Sequence, residues 1–186
     1  ECVGAFSQEA KKLGSRILSL ISEGLGLKCG YFENDLTGLM ILNVSHYPPC
    51  ADPSLTLGIT KHADPNVITI LLQDDISGLQ VLKDGKWIAV EPIPHAFVIN
   101  IGCQLEIISN GKLRSAEHRV VTNSRNARTT AAFFLDPSDD CFIEPAQALI
   151  DEHHPPIFRS FKYKEFRCHF YSKLDDIEVV MKSFQA

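Results

Sequence analysis

What most constrains this chain is a succession of short apolar, β-branched runs. They cover residues 39–44, 67–73, 79–82, 87–90, 96–101, 117–122 and 129–135. Turn formers separate them: Tyr47-Pro48-Pro49, residues 75–78, 83–86 and 92–94, Asn110-Gly111, and residues 123–126. Runs this short, bounded by Pro, Gly, Asn and Asp, suit strands and are too brief for helices. Their spacing predicts a mainly β sandwich or barrel and not alternating βαβ units.

Helical signals lie outside this stretch. Leu13, Ile17, Leu20, Ile21 and Leu25 recur at three- and four-residue spacing, and Gly24 and Gly26 mark the end of the pattern. This predicts a scaffold helix that packs on a sheet. Beyond Pro145 a helical turn is expected over 146–151, a break at Pro155-Pro156, and a short helix over 163–172. No repeat, low-complexity tract or flexible linker divides the chain. One domain is therefore expected over 1–186: a mostly helical lead-in (1–38), a β core (39–145) and a helical or irregular C-terminal segment (146–186).

The 186 residues suffice to bury a real core. Hydrophobic residues make up 45% and charged residues 22%, a soluble globular balance. A net charge of -5 argues against nucleic acid or an anionic membrane as partner. No apolar run is long enough for a membrane span, and no cleavable leader is evident. The chain starts at Glu1, as a segment of a longer polypeptide would. Cys2, Cys29, Cys50, Cys103, Cys141 and Cys168 are irregularly spaced, with no zinc-knuckle or dithiol pairing. They are expected to be reduced cytosolic thiols, mostly small core residues.

The chemistry-bearing residues begin at Thr60-Lys61-His62-Ala63-Asp64, which reads as leading straight into the strand at 67–73. In extended backbone, side chains two apart share a face, so His62 and Asp64 would present an imidazole and a carboxylate together. His118 lies in another predicted strand and supplies a second imidazole. Two His and one carboxylate with open positions is the donor set of non-haem iron(II) oxygenases. Alone, His-x-Asp is common by chance, and hydrogen-bonded histidines are its commoner meaning. Arg128 adds weight. It heads the strand at 129–135, and alternation puts Arg128, Thr130, Ala132 and Phe134 on one face. A guanidinium beside a hydroxyl at a barrel mouth is a bidentate receptor for a carboxylate.

A longer set of motifs carries a family resemblance. It comprises Tyr47-Pro48-Pro49-Cys50, His62-Ala63-Asp64, Ile68-Thr69-Ile70-Leu71-Leu72-Gln73 and Gly78-Leu79-Gln80-Val81. Trp87, Pro92-Ile93-Pro94, Asn100-Ile101-Gly102, Ser109-Asn110-Gly111 and His118-Arg119-Val120 follow in order. With these the chain resembles the catalytic domain of plant iron(II)- and 2-oxoglutarate-dependent dioxygenases of specialised metabolism, in particular the hyoscyamine 6-hydroxylase-like group. The resemblance implies a double-stranded β-helix, or jelly roll, with flanking helices. It implies Fe(II) held by His62, Asp64 and His118, with 2-oxoglutarate as cosubstrate, O2 as oxidant and ascorbate as stimulant. The cosubstrate's far carboxylate would meet Arg128, Thr130 and Tyr47. The implied reaction oxidises a small metabolite and releases succinate and CO2; hydroxylation is the default, with desaturation, epoxidation and demethylation as variants. Phe134, facing inward, would stack on an aromatic or alkaloid-like substrate or simply fill the core. A cytosolic monomer is expected.

Departures from the family pattern are visible. Arg128-Thr129-Thr130 replaces Arg-x-Ser, retaining the hydroxyl. Ser45 stands where an Asn commonly precedes the motif Tyr by two, and Cys103 stands where Asp follows Asn-x-Gly. The family's N-terminal region, which supplies part of the substrate entrance, has no counterpart here. Two rivals remain open: a zinc hydrolase, against which stands the lack of a His-Glu-x-x-His helix and of an evident general base, and a catalytically silent barrel acting as a binding module. His46, His95, His153, His154 and His169 lack partner spacing and are expected at the surface or in supporting positions.

Overall fold

The computed structural model describes residues 1–173 and 176–186. Helix α1 (Cys2–Gly24) is followed by strands β1 (Leu39–Tyr47), β2 (Leu57–His62), β3 (Ile68–Gln73), β4 (Leu79–Lys83), β5 (Lys86–Ala89) and β6 (Phe97–Ile101). Then come α2 (Cys103–Ile108), β7 (His118–Val121), β8 (Arg128–Asp136), β9 (Phe142–Ile143), β10 (Phe161–Lys162), α3 (Tyr163–Ser172) and α4 (Ile177–Lys182). Leu174 and Asp175, part of the expected C-terminal segment, lie outside the described residues.

Two four-stranded antiparallel sheets make up the centre, in orders β1-β8-β3-β6 and β2-β7-β4-β5. The chain changes sheet at nearly every connection, which is the jelly-roll topology. Within these two sheets the exception is the β4–β5 hairpin, where Asp84 and Gly85 both take positive φ, 50° and 73°. That is the backbone an Asp-Gly turn supplies.

The two faces of the first sheet have different work. Ile68 and Ile70 of β3 and Phe133 and Leu135 of β8 point outward and are essentially fully buried in the main hydrophobic cluster. Ala10 and Leu18 of α1 and Phe166 and Phe170 of α3 join that cluster. Phe133 is ordinary packing, as its face predicts, edge-on to Phe6. The inward face of the same strands, with the second sheet opposite, lines a cleft of about 70 Å³. Much of the apolar core therefore lies outside the barrel, leaving its interior for polar chemistry.

Several expectations need correction. Leu20 is 68% exposed; α1 buries Ala10, Gly14, Leu18 and Ser22, flanked by Leu13, Ile17 and Ile21. Two positions along a helix turn through about 200°, so Leu20 points away when Leu18 points in. Residues 60–64 do not run straight into β3: β2 ends at His62 in one sheet, and β3 begins at Ile68 in the other. Pro65, with no N–H to donate, sits in the crossing between them. The six cysteines are all free, yet only Cys103 is buried; Cys50 and Cys141 are half-buried, and Cys2, Cys29 and Cys168 are exposed. Helices α2 and α4 are too short for a periodic signal, although Asp176 caps α4 by accepting from the Val179 amide. The turn expected over 146–151 is a 3-10 helix at Gln147–Leu149, and the helix expected over 163–172 is α3.

Candidate metal centre

His62 ends β2, Asp64 lies on the crossing to β3, and His118 begins β7 beside β2, where the two histidines are register partners. Antiparallel pairing thus brings the imidazoles together, with ring centroids 4.3 Å apart. One donor atom from each of the three side chains lies within 4.8 Å of the others. Asp64 Oδ1 stands 3.6 Å from His118 Nε2 and 3.9 Å from His62 Nε2.

Each imidazole is oriented by its other nitrogen. His62 Nδ1 lies 2.8 Å from the Thr60 carbonyl oxygen and His118 Nδ1 3.1 Å from that of Ala116. A carbonyl only accepts, so Nδ1 carries the hydrogen in both rings and the Nε2 lone pairs face Asp64. Burial and the neighbouring His118 hold the His62 pKa below its ordinary value, which favours the neutral, ligating form. Asp64 Oδ2 accepts from Thr69 Oγ1 at 2.7 Å and from Asn100 Nδ2 at 3.3 Å. Only Oδ1 is left to face the two imidazoles. Three neutral-or-anionic N/O donors with room beside them fit a divalent first-row metal.

At the opposite end of the cleft lies Arg128, which is 2% exposed. It heads β8 but sits inside the barrel, not at its mouth. The reason is cross-strand pairing: β8 is central in its sheet, with β1 and β3 on either side. Arg128 Nη2 donates to Gln73 Oε1 at 2.7 Å and Nε to the Ile76 carbonyl at 3.2 Å. Among the described residues its Nη1 is buried with no hydrogen-bond partner. A buried, unpaired guanidinium donor is costly and calls for an anionic ligand. Burial lowers the Arg128 pKa, yet a guanidinium keeps its charge. Tyr47, whose ring lies 5.4 Å from the guanidinium carbon, Thr130 and Ser45 border the same space. A guanidinium donor with hydroxyls beside it can receive a carboxylate.

Arg128, Thr130, Ala132 and Phe134 all line the cleft, as alternation predicts. Phe134 pairs in register with Thr69, so it lies at the metal-donor end, far from Arg128. Asn43, Thr69, Leu71 and Asn100 also line the cleft and were not singled out from the sequence. A polar Thr69 within an otherwise apolar run was a readable signal. Asn43 and Asn100 needed the sheet pairing. Cys103 begins α2 with its amide donating to the Asp64 carbonyl at 2.8 Å, while burial pushes its thiol pKa up. Of the remaining histidines, His46, His95, His153 and His154 are exposed and His169 lies edge-on to Phe184; none lines the cleft.

Among the described residues Asp64 is the only carboxylate lining the cleft, and none of them offers a second acid there as the general base of a zinc hydrolase. Among the described residues no helix is long and apolar enough to cross a membrane.

Comparison with known proteins bears on the same site. Residues 37–137 match the 2OG-Fe(II) oxygenase superfamily. The whole chain is similar to hyoscyamine 6-dioxygenase of Hyoscyamus niger, at 44% identity and covering 54% of that protein. It is also similar to flavanone 3-dioxygenase 2 of Oryza sativa subsp. japonica, at 45% identity and 55% coverage of that protein. Among solved structures, JOX2 in complex with 2OG, Fe and JA superposes on 99% of the chain with a TM-score of 0.92 and 39% identity, and the match spans 56% of JOX2. The chain spans about half the length of the curated relatives it matches.

Proposed function

The chain belongs to the 2OG-Fe(II) oxygenase superfamily, and on that premise we propose that it is the catalytic portion of a dioxygenase that oxidises a small specialised metabolite, most simply by hydroxylation. His62 Nε2, Asp64 Oδ1 and His118 Nε2 would hold ferrous iron. Arg128 Nη1, with Thr130 and Tyr47 beside it, would take the far carboxylate of 2-oxoglutarate. When bound, iron, 2-oxoglutarate and O2 supply the oxidant that removes a hydrogen from a substrate carbon, with succinate and CO2 released. The protein's residues orient these partners. The two imidazoles and the carboxylate would hold the metal, and the buried Arg128 would fix the cosubstrate at its other end.

The observation that carries this reading is the unpaired Arg128 Nη1, buried in the same cleft as the three converging donors. Phe134 and Leu71, near Thr69 on the inner face, favour a ring-bearing substrate of the aromatic or alkaloid-like kind. Six unpaired thiols favour a reducing, cytosolic setting, where ascorbate would sustain the ferrous state. We take the working unit to be a monomer.

The test is anaerobic loading of the chain with Fe(II), titration with 2-oxoglutarate, then admission of O2 with a panel of small aromatic and alkaloid compounds. Stoichiometric iron, saturable 2-oxoglutarate binding and substrate-dependent succinate are expected. Iron binding without any affinity for 2-oxoglutarate would overturn the reading.

A further inference from the structure

We infer that Asn66, Thr69 and Asn100 form a positioning relay that holds Asp64 to a single metal-facing oxygen; this rests on the dioxygenase reading above. The groups are deeply placed: Asp64, Asn66 and Thr69 are 3%, 1% and 2% exposed. Asn66 Nδ2 donates to Thr69 Oγ1 at 3.0 Å and to the Ile68 carbonyl at 2.8 Å. An amide nitrogen only donates, so the Thr69 oxygen accepts there and turns its one hydrogen elsewhere. Asp64 Oδ2, at 2.7 Å, is nearer than Asn66 Oδ1 at 3.5 Å and carries charge. Asn100 Nδ2 adds a donor to the same Oδ2 from β6.

The backbone is tied down as well. The Cys103 amide donates to the Asp64 carbonyl at 2.8 Å, the Gln104 amide to the Asn66 carbonyl at 3.1 Å, and Gln104 Nε2 to the Pro65 carbonyl at 2.7 Å. With the main chain gripped and Oδ2 occupied by two donors, the carboxylate cannot swing both oxygens to one ion. It binds through Oδ1 alone, which keeps an adjacent coordination position free for the cosubstrate. Thr69 and Asn100 thus set how many sites the protein uses, without touching the ion.

Thr69→Val keeps the shape and removes the hydroxyl; Thr69→Ser returns it. Two readouts are taken on the metal-free chain: Fe(II) affinity by anaerobic chelator competition, and the ligand-field spectrum of bound Co(II), which reports coordination number. Thr69→Val is expected to weaken Fe(II) binding by about 10–100-fold and to alter the Co(II) spectrum, with Thr69→Ser restoring both. Wild-type affinity and spectrum in Thr69→Val would overturn the relay. So would a lost affinity that Thr69→Ser fails to restore. Thr69→Ala makes the same comparison should the valine chain not fold. A wild-type chain with no Fe(II) affinity would instead defeat the dioxygenase reading, and the relay with it.

Discussion

His118 Nε2 stands 3.6 Å from Asp64 Oδ1, although His118 begins a strand of one sheet and Asp64 lies on the crossing that leaves that sheet for the other. The proposed metal site is therefore a property of how the two sheets are joined. Among the described residues Asp64 is also its only anionic donor. Asp64→Ala should cost more iron affinity than the roughly 10–100-fold lost with a ligand's supporting hydrogen bond. Iron content after anaerobic loading measures this, with circular dichroism to check folding. Stoichiometric iron in that variant would remove Asp64 from the site.

Arg128 predicts a split between the two cofactors. Charge-assisted hydrogen bonds are worth roughly 1.5–3 kcal/mol each. Arg128→Ala should therefore raise the 2-oxoglutarate concentration needed for half-saturation by about 10–100-fold. Fe(II) affinity should stay near wild type, because the guanidinium lies at the far end of the cleft. An unchanged 2-oxoglutarate requirement would mean that another group receives its carboxylate.

Gly102 tests the join between β6, α2 and the crossing that carries Asp64. A Cβ built there would lie 2.0 Å from the Asn66 carbonyl oxygen, a backbone atom that cannot move aside alone. Gly102→Ala is expected to cost about 3 kcal/mol or more of stability and to weaken iron binding with it. Gly4 in α1 has nothing within 4 Å of the same position, so Gly4→Ala should leave the urea midpoint level or slightly raised. Equal midpoints for the two variants would show that the Asn66 contact relaxes freely.

Asp136 predicts a pH dependence of stability. Burial raises its pKa above 3.8, while the hydrogen bond from the Tyr163 hydroxyl works the other way. The folded chain then binds the proton more tightly than the unfolded one. Asp136 contributes stability that is complete below about pH 3.8 and is lost as pH rises through the raised folded value. Asp136→Asn keeps an acceptor for Tyr163 and removes the titration. Urea unfolding between pH 4 and 7, on the order of one unit apart, should show the stability gap between variant and wild type growing in the variant's favour as pH rises. A constant gap would place the folded Asp136 pKa at its ordinary value.

Much of this was legible one strand at a time. The alternation of Arg128, Thr130, Ala132 and Phe134 on one face, with Phe133 on the other, follows from the pleat and held in the folded chain. The His62, Asp64 and His118 trio was readable because the donor types and the surrounding motifs restrict what such residues do. Leu20 went wrong because five apolar positions leave the exact helix face ambiguous by a turn or so. The depth of Arg128 escaped because strand position does not tell which strands will flank it. Asn66 carried no signal and Asn100 stood only inside a family motif with no role of its own: an Asn in a strand or a crossing is ordinary until its partner is known.

By itself, then, the sequence determined most of the strands though not β2, β9 or β10, together with inner and outer faces and the chemical types available for a metal and a carboxylate. Those are local matters, set by the two-residue pleat and by side-chain chemistry. The tertiary structure alone decided that β2 and β7 pair to bring two imidazoles together and that the crossing to β3 swings Asp64 between them. It also left one Arg128 nitrogen without a partner. Such relations join residues distant in the chain, and they exist only once two sheets close around a common interior.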